Sequence, residues 1–175
     1  MRRITLTASL ALCLALAPMS IATAEETVDS VVATFEGDLI ALADGWGEAT
    51  ACTSDDSGTR CYRTETEMDE SESPGQRARG DVSPLAVCST SLRLYSATSF
   101  GGSVLQLSTR SSYLNLSSYG FDNTTSSYQI GACSALFFDG ANGGAPTYPG
   151  ATGAGASATS MSAGWDNRVS SVFIA

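Results

Sequence analysis

An internal repeat in the second half of the chain constrains its fold more than any other feature. The two copies begin with Cys-Ser, at Cys88 and Cys133, and each closes on a hexapeptide of the form Asp-Asn-x-x-Ser-Ser. These hexapeptides, 122–127 and 166–171, start 44 residues apart. Repeats of that length, made of short β-rich runs between Gly, Ser and Pro turns, predict an all-β sandwich of two four-stranded motifs over residues 85–175.

A Gly- and Ala-rich run at 140–158 weakens the strand pattern in the second copy. Loop signals alone leave ordered strands and a long flexible loop equally open for this run.

The amino-terminal segment has the pattern of an export signal. Two arginines are followed by an apolar stretch at 4–21 and then by Ala22-Thr23-Ala24, a small-residue cleavage site. We therefore predict that residues 1–24 are a signal peptide, which also removes Cys13, and that the mature protein is secreted to the extracellular space.

Four cysteines remain after cleavage, and an even number in an exported chain favours disulfides. Four cysteines allow three pairings, of which we prefer Cys52–Cys61 and Cys88–Cys133. The first pair lies on two predicted strands, 49–53 and 59–63, which flank a hairpin loop. Zinc binding is not expected, because the chain has no histidine and no C-x-x-C spacing.

Acidity is concentrated before the repeat. Residues 25–81 carry fifteen acids against four arginines, whereas only Asp122, Asp139 and Asp166 are acidic afterwards. We predict a small acidic β-hairpin unit at 25–70, with a helical turn capped by Thr64 and Glu67, and a polar linker at 71–84. With no lysine and few arginines, the protein is expected to bind neither nucleic acid nor anionic membranes.

The hexapeptides offer carboxylate, amide, hydroxyl and carbonyl oxygens, all of them hard donors. Calcium accepts six to eight such ligands with flexible geometry, whereas magnesium requires a strict octahedron. Asp and Asn also favour turns, and Ser-Ser satisfies local backbone groups, so one hexapeptide alone would not decide between an ion site and a turn. Because two of the three carboxylates after residue 81 open the two hexapeptides, the pair favours calcium sites.

The second half resembles the microbial calcium-binding branch of the βγ-crystallins. Tyr95-x-x-x-x-Phe100-x-Gly102, followed by a hexapeptide, is similar to the Greek-key signature of that family. The second copy reads Phe137-x-x-x-x-Asn142-x-Gly144, with Asn in place of the second aromatic residue. The resemblance implies a two-motif Greek-key sandwich and two calcium ions in paired sites, each with ligands from both hexapeptides.

By the same resemblance, each kind of ligand is assigned to a pair of residues. The side chains of Asp122 and Asp166, the hydroxyls of Ser126 and Ser170, the main-chain carbonyls of Thr124 and Arg168, and carbonyls near Ser96 and Asp139 would hold the ions, with Asn123 and Asn167 ligating or bracing the loop. The Arg168 side chain is compatible with a cation site only if it points outward. So few anions predict dissociation constants on the order of 10⁻⁵ to 10⁻³ M.

Enzyme chemistry is not expected, because the chain has no histidine, no lysine and no G-x-S-x-G or H-E-x-x-H motif. The sequence favours a secreted, calcium-stabilised structural or binding protein. The alternative is a secreted inhibitor of an extracellular protease, since some metalloprotease inhibitors are similar to this domain in fold and disulfide use. A third reading makes the acidic unit the functional part and the sandwich its carrier.

Overall fold

A computed structural model describes residues 29–72 and 91–175 of the chain. The predicted signal peptide, Cys88 and residues 73–84 of the predicted linker lie outside the described residues. The described strands and helix are β1 Val32–Phe35, β2 Asp38–Ala41, β3 Ala51–Asp55, β4 Gly58–Tyr62, α1 Glu65–Glu72, β5 Leu92–Ala97, β6 Gly101–Leu107, β7 Tyr113–Asn115, β8 Ser127–Gln129, β9 Ala135–Gly140, β10 Gly144–Thr147, β11 Ser157–Ala158 and β12 Ser171–Ile174. In these two ranges no helix is both long and apolar enough to cross a membrane.

The strands form two sheets that face each other. Sheet A has the order β11-β8-β5-β6-β3-β4-β1-β2, and sheet B has the order β10-β9-β12-β7. The first copy of the repeat is β5 to β8 and the second is β9 to β12. The third strand of each copy, β7 or β11, pairs in the sheet of the other copy. The predicted sandwich of two four-stranded Greek-key motifs is therefore confirmed.

The core between the sheets comes from alternate residues of each strand, as the pleat requires. Leu92 and Leu94 of β5 are buried opposite Leu107 and Leu105 of β6. In sheet B, Phe137 is fully buried and meets Tyr128 edge-on, with ring centroids 5.0 Å apart. Burial of these apolar side chains supplies the main favourable free energy of the fold.

The amino-terminal unit continues sheet A. Strand β3 runs parallel to β6, from the pair Ala51 and Val104 onward. The predicted hairpin is present as β3 and β4, where Cys52 lies opposite Cys61 and is bonded to it. Cys133 is disulfide-bonded as well, and its predicted partner lies outside the described residues. Beyond β4 lies a second hairpin, β1 with β2, which the sequence analysis did not predict.

Helix α1 covers part of the outer face of sheet A. Its Met68 is fully buried in a cluster with Ala51, Tyr95 and Val104 of the sheet. Thr64 caps the helix as predicted, because the Glu67 N–H donates to Thr64 Oγ1 over 3.2 Å. The Glu67 carboxylate accepts the N–H of Arg63, one residue earlier than a capping box requires. The helix ends at Glu72, two residues inside the segment predicted as linker.

Acidic residues of α1 bind one arginine of the sheet. The Arg93 guanidinium donates to Glu65 over 2.8 Å and also to Asp69. The Tyr95 hydroxyl donates to Glu65 over 2.9 Å. Burial, together with this bond to a carboxylate, raises the pKa of Tyr95 to about 12. Part of the acidity of the amino-terminal unit thus holds the helix on the sheet.

Candidate metal centre

The two hexapeptides lie against each other, related by an approximate two-fold axis. The Asn123 N–H donates to the Val169 carbonyl over 3.0 Å, and the Asn167 N–H donates to the Thr125 carbonyl over the same distance. Each bond therefore has its counterpart with the copies exchanged. The predicted site residues of both copies are brought into one region of the surface.

The local shape of each hexapeptide follows from its second and fourth residues. Asn123 and Asn167 have φ of 53° and 54°, a left-handed conformation that Asn tolerates better than most residues. Thr125 and Val169, at the fourth position, are fully buried and anchor the loop in the core. Valine suits this environment, whereas the Thr125 hydroxyl is buried there without a hydrogen-bond partner.

The last serine of each hexapeptide braces the hairpin of its own copy. Ser127 Oγ donates to the Ala97 carbonyl over 2.6 Å and accepts the Phe100 N–H over 3.1 Å. The second copy repeats both bonds, over 2.6 and 3.0 Å, through Ser171 Oγ, the Gly140 carbonyl and the Gly143 N–H. This local role is the one that Ser-Ser was expected to have in a turn.

These bonds fix the register of the two copies and correct the one read from the sequence. Phe100 corresponds to Gly143, and Tyr95 therefore corresponds to Phe138. The alignment predicted from the sequence, through Phe137, Asn142 and Gly144, is one residue too early. The missing aromatic residue is supplied by another strand.

Tyr113 of β7 takes that place in the second copy. Its ring packs against Phe138 with centroids 5.7 Å apart, as Phe100 packs against Tyr95 at 5.6 Å. A Cβ at Gly143 would lie 2.4 Å from the Tyr113 ring. Glycine at that position therefore makes room for the substitute ring.

Side-chain oxygens from the two hexapeptides converge in two equivalent places. Ser126 Oγ donates a long hydrogen bond to Asn167 Oδ1 over 3.3 Å, and Ser170 Oγ donates one to Asn123 Oδ1 over 3.4 Å. Two oxygens that bind one calcium ion at about 2.4 Å and at right angles are about 3.4 Å apart. The spacing and the chemistry of both pairs therefore fit calcium. We refer to the pair Ser126–Asn167 as site 1 and the pair Ser170–Asn123 as site 2.

The aspartates that open the hexapeptides lie at the rim. Asp122 and Asp166 are exposed, and Asp122 Oδ2 accepts a hydrogen bond from Asn123 Nδ2 over 2.9 Å. Thr124 Oγ1 donates to the Asp122 carbonyl over 2.9 Å. Asp122 thus orients the Asn123 amide. Across residues 29–72 and 91–175, no three His, Cys, Asp or Glu side chains gather into a metal-binding group.

The two residues expected to supply nearby carbonyls use their side chains elsewhere. Ser96 Oγ accepts the Ser103 N–H over 2.7 Å. Asp139 Oδ2 accepts a hydrogen bond from Arg168 Nε over 2.9 Å and forms an ion pair with Arg168 Nη2 at 2.7 Å. This carboxylate raises the pKa of Arg168, and the guanidinium also lies over the Trp165 ring, 5.3 Å from its centroid. The charge of Arg168 is therefore balanced by Asp139.

The amino-terminal unit packs directly against the segment that leads into the first hexapeptide, a contact that the sequence analysis missed. Trp46 stacks on Phe121 with ring centroids 5.4 Å apart and donates Nε1–H to the Tyr119 carbonyl over 2.7 Å. A Cβ at Gly120 would lie 2.2 Å from the Leu42 carbonyl oxygen. The only sequence signal for this contact was an aromatic residue in a Gly-rich turn, at Trp46.

Comparison with known proteins gives structural likenesses only. A scan of protein families finds no match, and a search of curated proteins finds none either. Among solved structures, a βγ-crystallin from Ciona intestinalis is 23% identical, covers 49% of this chain and 99% of its own, and has a TM-score of 0.42. A βγ-crystallin domain from Flavobacterium johnsoniae is 19% identical and covers 48% and 92%, with a TM-score of 0.40. A double mutant of a Clostridium beijerinckii βγ-crystallin domain is 16% identical and covers 49% and 96%, with a TM-score of 0.41.

Proposed function

We propose that this protein is a secreted structural or binding protein that holds two calcium ions between its hexapeptides, as the microbial calcium-binding βγ-crystallins do. The observation that carries the proposal is the convergence of a serine hydroxyl and an asparagine carbonyl, from opposite hexapeptides, at 3.3 and 3.4 Å. Both are hard oxygen donors at a spacing that one calcium ion can bridge.

Other oxygens would complete each shell. The main-chain carbonyls of Thr124 and Arg168 and those near Ser96 and Asp139 are the proposed main-chain ligands, with Asp122 and Asp166 adding negative charge at the rim. Because each site has few carboxylates, calcium binds weakly, with dissociation constants on the order of 10⁻⁵ to 10⁻³ M, as in extracellular modules.

Calcium would act here as a cross-link between the two motifs. Its ligands come from both hexapeptides, so a bound ion opposes their separation and binds the folded state only. At calcium concentrations about 100 times the dissociation constant, one such site adds about 2.7 kcal/mol to the free energy of unfolding. The Cys52–Cys61 disulfide supports secretion, because such bonds persist in oxidising compartments.

Thermal unfolding with calcium and with chelator tests the proposal. Calcium is expected to raise the midpoint of the protein, and the double variant Asn123→Ala, Asn167→Ala is expected to lose that increase. A matched control is Asn115→Ala, which removes an asparagine bonded to Asn142 outside the hexapeptides and should keep it. A midpoint that does not respond to calcium in the unaltered protein, or a response that survives in the double variant, contradicts the proposed sites.

A further inference from the structure

The two sites are built alike but differ at one pair of equivalent positions. In the register fixed by the hydrogen bonds of Ser127 and Ser171, Ser96 corresponds to Asp139, and Thr124 corresponds to Arg168. The first copy therefore has two neutral hydroxyl residues where the second copy has a carboxylate and a guanidinium. Both hydroxyls of the first copy are occupied locally, by the Ser103 N–H and by the Asp122 carbonyl.

The charged pair is held in place by several contacts. Two guanidinium nitrogens of Arg168 reach the same oxygen of Asp139. The third nitrogen, Nη1, lies 3.3 Å from the Gly164 carbonyl, and the guanidinium stacks over Trp165. The Arg168 and Asp139 side chains are 44% and 25% exposed, so the pair lies at the surface, where an arriving ion can compete for it.

The pair also spans the segments that line site 2. The Ser170 N–H donates to the Phe138 carbonyl over 2.8 Å, which places the second hexapeptide alongside the end of β9. Arg168 precedes Ser170 by two residues, and Asp139 follows Phe138. The guanidinium and the carboxylate therefore connect the two segments beside the site 2 oxygens.

We propose that Arg168 lowers the calcium affinity of site 2 by occupying the carboxylate of Asp139. The inference rests on the proposed calcium function. A carboxylate that is already paired with a guanidinium attracts a second cation only weakly. Asp139 therefore adds little to the electrostatic attraction of calcium to site 2. Arg168 acts through Asp139 and is a positioning residue, whose removal should strengthen binding.

Replacement of Arg168 by the residue of the first copy tests this. In Arg168→Thr, Asp139 is released, and a free carboxylate beside a divalent ion in a water-like medium changes the affinity on the order of tenfold. Isothermal titration calorimetry with calcium chloride should show one of two sites tightened by about that factor and the other unchanged. Arg110→Thr is the control for net charge, because Arg110 lies next to Ser111, which bonds Ile174 at the opposite end of β12, and it should change neither site.

The double variant Arg168→Thr, Asp139→Ser decides whether the effect passes through Asp139. It gives the second copy the residues of the first, and the gain in affinity should disappear. A gain that persists in the double variant, or unchanged or weakened binding in Arg168→Thr, overturns the inference. If the unaltered protein binds no calcium, the proposed function itself fails, whereas binding that ignores Arg168 overturns only the inference.

Discussion

Gly120 offers a sharp test of the contact between the amino-terminal unit and the sandwich. Its φ of 63° lies in the left-handed region, and a Cβ there would meet the Leu42 carbonyl oxygen at 2.2 Å. That oxygen accepts the Gly45 N–H over 3.0 Å, so moving it away breaks a hydrogen bond. We predict that Gly120→Ala destabilises the protein through both the backbone conformation and the clash.

The two contributions can be separated with a matched glycine. Gly155 has φ of 73°, and a Cβ there would have nothing within 4 Å. Gly155→Ala therefore carries only the cost of a left-handed alanine, about 1 kcal/mol. In Gly120→Ala, the clash adds about 1–3 kcal/mol of overpacking. We expect a total loss of about 2–4 kcal/mol in the free energy of unfolding.

Urea denaturation followed by circular dichroism measures both variants against the unaltered protein. The denaturation midpoint should fall clearly further for Gly120→Ala than for Gly155→Ala, with little change in slope. The two losses should differ by the overpacking cost alone, about 1–3 kcal/mol. Equal losses would show that Leu42 does not press on Gly120, and the docking of the amino-terminal unit on the sandwich would be wrong.

Two further predictions concern buried polar groups. Thr125→Val removes an unpaired buried hydroxyl and should raise the free energy of unfolding by about 1 kcal/mol. The reciprocal Val169→Thr should lower it by about 1–3 kcal/mol. Urea denaturation that shows both variants changing stability in the same direction contradicts this. The pKa of Tyr95 is raised from its usual value near 10 to about 12. Its stabilising contribution is therefore complete below pH 10 and lost as pH rises toward 12, so Tyr95→Phe should flatten the fall of stability over that window. Denaturation midpoints from pH 8 to 12 check this, and identical slopes in both proteins refute it.

The repeat carried most of what could be predicted about the sandwich. Short strands between Gly and Ser turns specify a β motif, and duplication specifies how two motifs share a core. The hairpin of Cys52 and Cys61 was predictable because its strands, turn and cysteines are adjacent in sequence. These signals are local, so they predict the hairpin without knowledge of how the rest of the chain folds.

Long-range pairing was not predictable in the same way. Nothing in the β3 sequence indicates a parallel partner more than forty residues later, so the amino-terminal unit was predicted only as a hairpin and a helical turn followed by a linker. The register of the second copy failed for a related reason. Its aromatic partner, Tyr113, comes from a different strand, and alignment on adjacent glycines placed Phe137 where Phe138 belongs.

The candidate site was also predictable only in part. Composition indicated hard oxygen donors, but it did not distinguish the serine proposed to bind calcium from the serine that braces the hairpin. Ser126 and Ser127 are adjacent in sequence, but their hydroxyls have different partners. Ser126 bonds Asn167 of the other hexapeptide, whereas Ser127 bonds the Ala97 carbonyl of its own hairpin. The ion pair between Asp139 and Arg168 was not predicted, because the Arg168 side chain was expected only to point outward and no partner was assigned to it.

Parallel pairing of β3 with β6 imposes an order on folding. Cys52 and Cys61 are 9 residues apart, whereas Ala51 and Val104 are separated by 53 positions. Closing the longer loop costs about 1.5 kcal/mol more in chain entropy. The hairpin of β3 and β4 is therefore expected to form before β3 pairs with β6. During that interval the open edge of β3 is a template for any other extended chain. A polypeptide cut off before β6 would keep that edge permanently and should aggregate.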